Sequence, residues 1–317
     1  MNVMKFPEKW KVTAMALAAN KSNHNEWKRF LKGIAFIGPN YLGFILFTLL
    51  PVISALFLAF CDWNVQQGLS GLKFIGLANF KELVTDVWFI DSLKNNFVFT
   101  MVSVPLIMAF ALVLAVLLNK YVLMKKTLRT LFFLPYVTNI VVVCYIWMML
   151  FQPTYGPING FLRSMGMANP PGWLGDSHWA LHTITMMNVW IYTGYSMVIY
   201  LAGLQGIPQE LNEAAAIDGA TGIKSFFHIT LPLLSPTTFF ILITSIINSF
   251  KVFAPISIMT DGGPGTSTTV LVYHIYISAF RFFRMGYASA IACVLFMIVF
   301  VITYLQWLGQ KKWVDYM

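Results

Sequence analysis

Polar side chains inside long apolar segments are the residues of this sequence whose types could bind a small polar molecule. Tyrosine rings stack on other rings, while asparagine, serine and lysine hydrogen-bond to hydroxyl or anionic groups. Because polar groups are costly inside a membrane, such residues mark a candidate pathway or binding site. For each one alone, a role in holding neighbouring helices together stays equally open. The predicted ligand-binding residues are Asn188, Tyr192, Tyr195, Asn248, Ser249 and Lys251.

Lys251 interrupts the apolar segment Thr237–Ile258, which otherwise holds no charged residue. An unpaired ammonium near the middle of a bilayer costs about 2.5–3.5 kcal/mol on insertion scales. The side chain either snorkels outward toward Asp261, ten residues on, or lines an aqueous cavity and attracts an anion. The second alternative leads to the hypothesis that the ligand is acidic.

Residues typical of a reaction centre do not group in this sequence. The three cysteines lie singly in separate apolar segments, without the C-x-x-C spacing of a redox or metal site. Four of the five histidines show no ligand spacing with each other or with cysteine. The phosphate-binding pattern G-x-x-x-x-G-K-S/T is absent. We therefore expect no catalytic site, no metal and no cofactor bound by this chain.

The composition is that of a membrane protein. Hydrophobic residues make up 58% of the chain and charged residues only 10%, against roughly 25% charged in a soluble domain. Since a membrane helix needs about 20 apolar residues, we predict an all-α membrane protein with six transmembrane helices. The predicted spans are Phe36–Phe60, Phe97–Leu118, Leu131–Phe151, Trp179–Leu204, Thr237–Ile258 and Ala288–Leu308.

The distribution of basic residues predicts the orientation, because cytoplasmic segments carry the excess of Lys and Arg. Of the 21 basic residues, 14 lie in the tail Met1–Lys32 and the segments 119–130, 205–236 and 309–317, and six lie in the alternate segments. Both termini are therefore expected on the cytoplasmic side of the membrane.

The first 32 residues form a basic tail that is expected to be distinct from the transmembrane domain at residues 33–317. Apolar residues among its lysines allow an amphipathic helix on the membrane surface. A disordered tail is an equal alternative.

The connection at residues 205–236 predicts two short helices with a sharp turn between them. Pro208 suits the first turn of the first helix, and Gly219 suits its end because glycine adopts positive φ freely. Thr221 is a candidate cap for the second helix, and Leu231-Pro232 is expected to end it. Small and aromatic faces of this kind could dock into a groove of a partner, or the helices could lie on the membrane surface.

A resemblance decides between these two alternatives. Glu213-Ala214-Ala215, Gly219, Ile229 and Leu231-Pro232 reproduce the spacing of the EAA motif of binding-protein-dependent ABC importer permeases. The sequence is similar to maltose- and glycerol-phosphate-type first permeases over nearly its whole length, but it lacks the extra N-terminal spans and large periplasmic insertion of the maltose protein. Further similar segments are Phe74–Phe80, Arg129–Pro135, Gly156–Asn159, Gly262–Pro264 and Gly286–Ala290.

This resemblance implies a type I importer permease of the MetI-like fold, a non-catalytic half of a sugar translocation path. The implied partners are a second permease in a heterodimer, two ATPase subunits that hold ATP and Mg, an extracytoplasmic solute-binding protein and membrane lipid, with no nucleic acid. The cargo is expected to be a sugar or oligosaccharide, with an acidic sugar as the hypothesis from Lys251. The implied ATPase-coupling residues are Glu213, Ala214, Ala215, Asp218, Gly219, Phe226, Phe227, Leu231 and Pro232.

Two other classes fit six spans less well. An ion-coupled secondary transporter normally needs acidic residues inside the membrane, and none of the predicted spans contains Asp or Glu. A membrane-embedded enzyme needs a catalytic grouping near a membrane face, which the sequence does not show.

Overall fold

The structure, a computed structural model, is almost entirely helical. The chain divides into two compact units, residues 1–57 and 58–317. Helix α1, Phe30–Leu58, makes up nearly all of the described part of the first unit, ends at the first residue of the second, and contains a π-helical turn at Ile45–Leu49. The residues that the structure describes are Trp27, 30–120, 124–217, 219–220 and 222–311. Most of the predicted basic tail, Met1–Lys32, thus lies outside them.

The second unit begins with a short antiparallel hairpin, in which β1 (Cys61–Asp62) pairs Cys61 with Phe74 of β2 (Lys73–Phe74). Helices follow to the end of the described chain. They are α2 Ala78–Thr85, α3 Val87–Lys120, α4 Lys125–Val137, α5 Ile140–Leu150, α6 Pro157–Ser164, α7 Ala180–Gln205, α8 Gln209–Ile217, α9 at 223–233, α10 Ser235–Phe250, α11 Ala254–Met259, α12 Leu271–Tyr276 and α13 Met285–Gln310.

Four helical stretches in the described residues are long and apolar enough to cross a membrane: α1, α3, α13 and the stretch Ser235–Met259 formed by α10 and α11. The pair α4 and α5 adds a fifth if the two helices count as one bent span. Helix α7, at the predicted span Trp179–Leu204, is 26 residues long but too polar to pass the same hydropathy criterion. The number six therefore stays a prediction.

The predicted span Leu131–Phe151 is divided between two helices, α4 and α5. The chain bends by 96° between α4 and α5. Thr138 leaves the helical conformation at ψ 145°, and the Asn139 side chain accepts a hydrogen bond from the backbone N–H of Val141 at 2.9 Å. An asparagine cap of this kind starts a new helix in a new direction, which hydropathy alone does not register.

Helix α3 begins at Val87, ten residues before the predicted span starts at Phe97. Its polar first turns are held by the loop at residues 260–270. The Asn95 amide donates to the carbonyls of Thr266 and Thr269 at 2.8 and 2.9 Å, and the Asn96 side chain accepts from the Leu271 N–H at 2.8 Å. These tertiary bonds extend the helix beyond its apolar part.

Helix α7 is the central element of the second unit and packs against both α3 and α4. Its approach to α4 depends on Gly194, because a Cβ atom there would lie 1.7 Å from the carbonyl oxygen of Phe132. Small residues allow this close approach of backbones between membrane helices. The bend after α4 is thereby held beside the middle of α7.

Replacing this glycine should separate the two helices. We predict that Gly194→Ala destabilises the protein by about 1–3 kcal/mol, the usual cost of overpacking a tight contact. The matched control is Gly160→Ala in α6, where an added Cβ meets nothing within 4 Å. Thermal unfolding in detergent measures both variants, and equal unfolding temperatures would contradict the packing described here.

Candidate functional site

A cavity of about 440 Å³ opens between the bend that follows α4, the middle of α7 and the break between α10 and α11. This volume lies within the range of about 300–1,000 Å³ that is typical of small-molecule sites. Two of its walls are formed where a helix is interrupted, at residues 138–139 and at residues 251–253. The lining residues are Tyr136, Thr138, Ile140, Asn188, Ile191, Tyr192, Asn248, Lys251, Val252, Phe253, Ala254 and Pro255.

Four of the six predicted ligand-binding residues meet in this cavity. Helix α7 contributes Asn188 and Tyr192, one turn apart, and the end of α10 contributes Asn248 and Lys251. Asn188 is 7% exposed, while Asn248 and Lys251 are exposed. The wall thus combines two amides, a phenol ring and an ammonium group, which can hydrogen-bond hydroxyls and attract a negative charge.

Lys251 caps the C-terminal end of α10, and its N–H donates to the Asn248 carbonyl at 3.1 Å. The partial negative charge of the last carbonyls of a helix favours a cation at this position. Among the described residues, no carboxylate lines the cavity and no ion pair involves Lys251. The ammonium is therefore available to an anionic ligand.

Asp261, the suggested partner of a snorkelling Lys251, is engaged elsewhere. The guanidinium of Arg281 binds its carboxylate at 2.7 and 3.0 Å, and the Tyr273 hydroxyl donates to it at 2.9 Å. The hydrogen bond from Arg281 holds the pKa of Asp261 below its usual value. Lys251 lies in the cavity lining, and no ion pair joins it to Asp261 among the described residues.

Ser249 and Tyr195 do not line this cavity. The Ser249 hydroxyl shares a hydrogen bond with Thr100 of α3 at 2.8 Å and donates to the Ile246 carbonyl at 2.8 Å. It borders only a small extension of about 10 Å³ between α3, α7 and α10. The Tyr195 ring stacks on Tyr136 with centroids 4.5 Å apart. Ser249 connects helices, and Tyr195 supports an aromatic neighbour.

Tyr136 and Thr138 line the cavity but were not among the predicted residues. Both belong to the bend, and the Tyr136 ring also meets Tyr192 edge-on at 5.8 Å. Their position follows from the interruption of the predicted third span. Asn139, a good helix-capping residue within an apolar run, is the one sequence signal that could have located this bend.

The helix pair in the predicted coupling loop forms at residues 209–233. Helix α8 ends as predicted, because Gly219 has φ +76° and the N–H of Ala220 bonds to the Ala215 carbonyl at 2.8 Å. This is the six-to-one hydrogen bond of a Schellman motif. Ala215 is buried, whereas Glu213 and Ala214 are exposed, and Glu213 accepts from the Gln209 side chain at 2.9 Å. Asp218 and the candidate cap Thr221 lie outside the described residues.

The second helix ends at Leu233, one residue after the predicted end at Leu231-Pro232. Helix α9 starts at Ile223, passes through a π-helical turn at Phe226–Thr230 and continues over Leu231–Leu233. The π-helical turn directly before Pro232 changes which carbonyls the backbone N–H groups bond to. Because of this change, the missing N–H of Pro232 does not interrupt the helix at that residue. The loop thus runs into α10 almost without a break.

Large apolar side chains are exposed on this helix pair. Ile217 is 87% exposed, Ile223 78% and Phe227 56%. Phe226 is half-buried and packs edge-on against Phe227, with centroids 5.2 Å apart. Such a patch of exposed apolar residues around a tight turn is typical of a docking surface.

The described residues hold no group of three His, Cys, Asp or Glu side chains placed to bind a metal ion. The chemistry that the cavity and the helix pair offer is recognition of a polar or anionic small molecule and contact with another protein.

Comparison with known proteins agrees with this arrangement. The model of the family described as binding-protein-dependent transport system inner membrane component matches residues 87–312. The probable ABC transporter permease protein YesP of Bacillus subtilis is 38% identical over 96% of this chain and 98% of its own length. The lactose transport system permease protein LacF of Rhizobium radiobacter is 34% identical, with coverages of 92% and 98%.

A chain of a bacterial alginate ABC transporter, solved in complex with an alginate pentasaccharide-bound periplasmic protein, has the same fold. Its TM-score is 0.79 at 25% sequence identity, and the match covers 91% of this chain and 96% of that one. The family match and these relatives exclude the alternative that this chain is an ion-coupled secondary transporter. The chain belongs to the family of binding-protein-dependent transport system inner membrane components.

Proposed function

We propose that this permease contributes half of a translocation path, that its 440 Å³ cavity contacts the sugar, and that its cytoplasmic helix pair couples the path to a separate ATPase. The observation that carries the proposal is the convergence of Asn188, Tyr192, Asn248 and Lys251 on one cavity. Sugars present hydroxyls on a ring with apolar faces, and this combination of amide and aromatic groups fits them.

The remaining parts of the importer are proposed from the family resemblance and from the absence of a phosphate-binding motif for ATP in this sequence. A second permease would complete the path as a heterodimer, two ATPase subunits would bind ATP and Mg, and a solute-binding protein would deliver the sugar. Both termini and the helix pair α8–α9 would face the cytoplasm, on the side with the excess of basic residues.

The cargo that best fits the cavity is an acidic sugar or a uronate-containing oligosaccharide. Lys251 presents its ammonium there without a carboxylate partner among the described residues. A charge that lacks a protein partner in a membrane domain is stabilised by a ligand of opposite charge. The structurally similar transporter bound to its alginate-loaded periplasmic protein also handles a sugar polymer that carries carboxylates.

Removing the ammonium should change selectivity. We predict that Lys251→Met lowers uptake of uronate oligosaccharides at least tenfold, while uptake of neutral oligosaccharides of the same length changes little. Lys251→Arg is the matched control, since it keeps the charge. Uptake by the assembled importer in liposomes is the measurement, and an unchanged ratio of acidic to neutral uptake in Lys251→Met would end the proposal of an acidic cargo.

Lys251 should also be reachable by water-soluble reagents, because its side chain is exposed in the cavity. In a Cys293→Ala background, we predict that Lys251→Cys reacts readily with a charged maleimide and that Ser249→Cys, at a position only 5% exposed, reacts at least tenfold more slowly. Cys61 and Cys144 are buried and serve as internal controls. Equal labelling rates at positions 249 and 251 would contradict the cavity geometry.

The turn at Gly219 should transmit movement rather than take part in hydrolysis. Since its φ is +76°, we predict that Gly219→Ala strains the turn by about 1–2 kcal/mol, that Gly219→Pro breaks it, and that both lower uptake more than they lower the ATPase activity of the complex. Gly206→Ala is the control, because Gly206 has φ −80°. Uptake per ATP hydrolysed is the readout, and normal uptake by Gly219→Pro would refute the coupling role.

A further inference from the structure

A second and larger opening lies on another side of α7 from the cargo cavity. It is an apolar groove of about 830 Å³ between α3, α4 and α7. Along α7 it extends from Trp179 to Gly194, roughly 22 Å at a rise of about 1.5 Å per residue. Side chains such as Phe110, Val113 and Leu131 are more than half exposed in it.

The walls of this groove offer little to a polar ligand. The hydroxyls of Thr185 and Thr193 both point back to their own helix, where they donate to the carbonyls of Leu181 and Val189 at 2.7 and 2.6 Å. His182 is the one ionisable side chain among the lining residues. The groove is therefore suited to a hydrocarbon chain.

The first turns of α4, which border one end of the groove, carry three basic residues. Leu128 and Leu131 of α4 line the groove, and Lys125, Lys126 and Arg129 lie on the same two helical turns. The sequence from Ser92 to Gly175 contains no acidic residue. The Lys125 ammonium donates to the Asn119 carbonyl at 2.5 Å, which leaves Lys126 and Arg129 as the cations without a partner at this end, as far as the described residues show.

Arg129 carries the clearest sign of a missing ligand. Its Nε atom is buried and has no hydrogen-bond partner among the described residues, and no ion pair from that part of the chain reaches its guanidinium. A buried N–H donor without an acceptor is unfavourable, the more so when it belongs to a charged group. A phosphate oxygen satisfies such a guanidinium better than any neutral group.

We propose that the groove and its basic end form a binding site for an anionic phospholipid. An acyl chain lies between α3, α4 and α7, and the headgroup phosphate contacts Arg129 and Lys126. Basic pockets between membrane helices bind anionic headgroups in this way. The site is separate from the cargo cavity and from the coupling helices, so it does not depend on the function proposed for them.

Photo-crosslinking in the assembled importer tests this proposal. A benzoylphenylalanine at position 113 would stand in the groove, since Val113 is 56% exposed there. In membranes that contain phosphatidylglycerol and phosphatidylethanolamine, we expect adducts with the mass of phosphatidylglycerol, enriched above its share of the membrane. The same probe at position 301, an exposed position of α13 outside the groove, should capture both lipids in membrane proportion.

Charge removal gives the decisive comparison. Lys126→Gln with Arg129→Gln should lower the preference for phosphatidylglycerol over phosphatidylethanolamine by about 30-fold, from the attraction that each basic side chain near a membrane surface has for anionic lipid. The control pair Lys73→Gln and Lys81→Gln should leave it unchanged. If the double variant does not assemble, Arg129→Lys with Lys126→Gln replaces it, and a partial loss is expected.

Three results would overturn the proposal. The first is an adduct at position 113 with another protein, which would mean that a helix of the second permease covers the groove. The second is lipid capture at position 113 in membrane proportion. The third is an enrichment that persists after the charges at positions 126 and 129 are removed.

Discussion

Inside a bilayer, backbone N–H and C=O groups have no water to bond with, so a chain can leave the helical conformation only where protein or a cavity takes over those groups. This protein leaves it twice within predicted spans, at residues 138–139 and at 251–253. Both interruptions border the cavity at the middle of α7. The cavity thus forms where the helices stop, because polar groups at these interruptions face an open space.

The position of the cavity depends on close packing around α7. Gly194 lets the backbone of α4 come so near that no side-chain atom would fit between them, and the bend that follows α4 is thereby brought opposite Asn188 and Tyr192. The contact of Ser249 with Thr100 holds the end of α10 against α3. These contacts fix the relative positions of three walls, so the polar groups that meet in the cavity are preorganised.

The helix pair α8–α9 shows how a membrane helix connects with a surface element. Gly219 makes the sharp turn, and the π-helical turn at Phe226–Thr230 lets the chain pass Pro232 and enter α10 directly. The exposed residues Ile217 and Ile223 are thus connected, through the turn at Gly219, α9 and α10, with the end of α10 at Lys251.

Span length, positive φ at glycine and the cost of polar groups among apolar ones are local rules, and they were enough to predict the membrane location, the turn at Gly219 and four of the residues that meet in the cavity. The family was predicted from the resemblance of the segment around Glu213 and Gly219 to a known motif. The break at residues 138–139, the position of Tyr136 and Thr138 in the cavity and the pairing of Asp261 with Arg281 depend on tertiary contacts. The break could not be predicted from hydropathy, because a straight and a bent helix of the same sequence have the same hydropathy. The partner of Asp261 could not be predicted either, because it depends on which distant segment of the chain packs beside it.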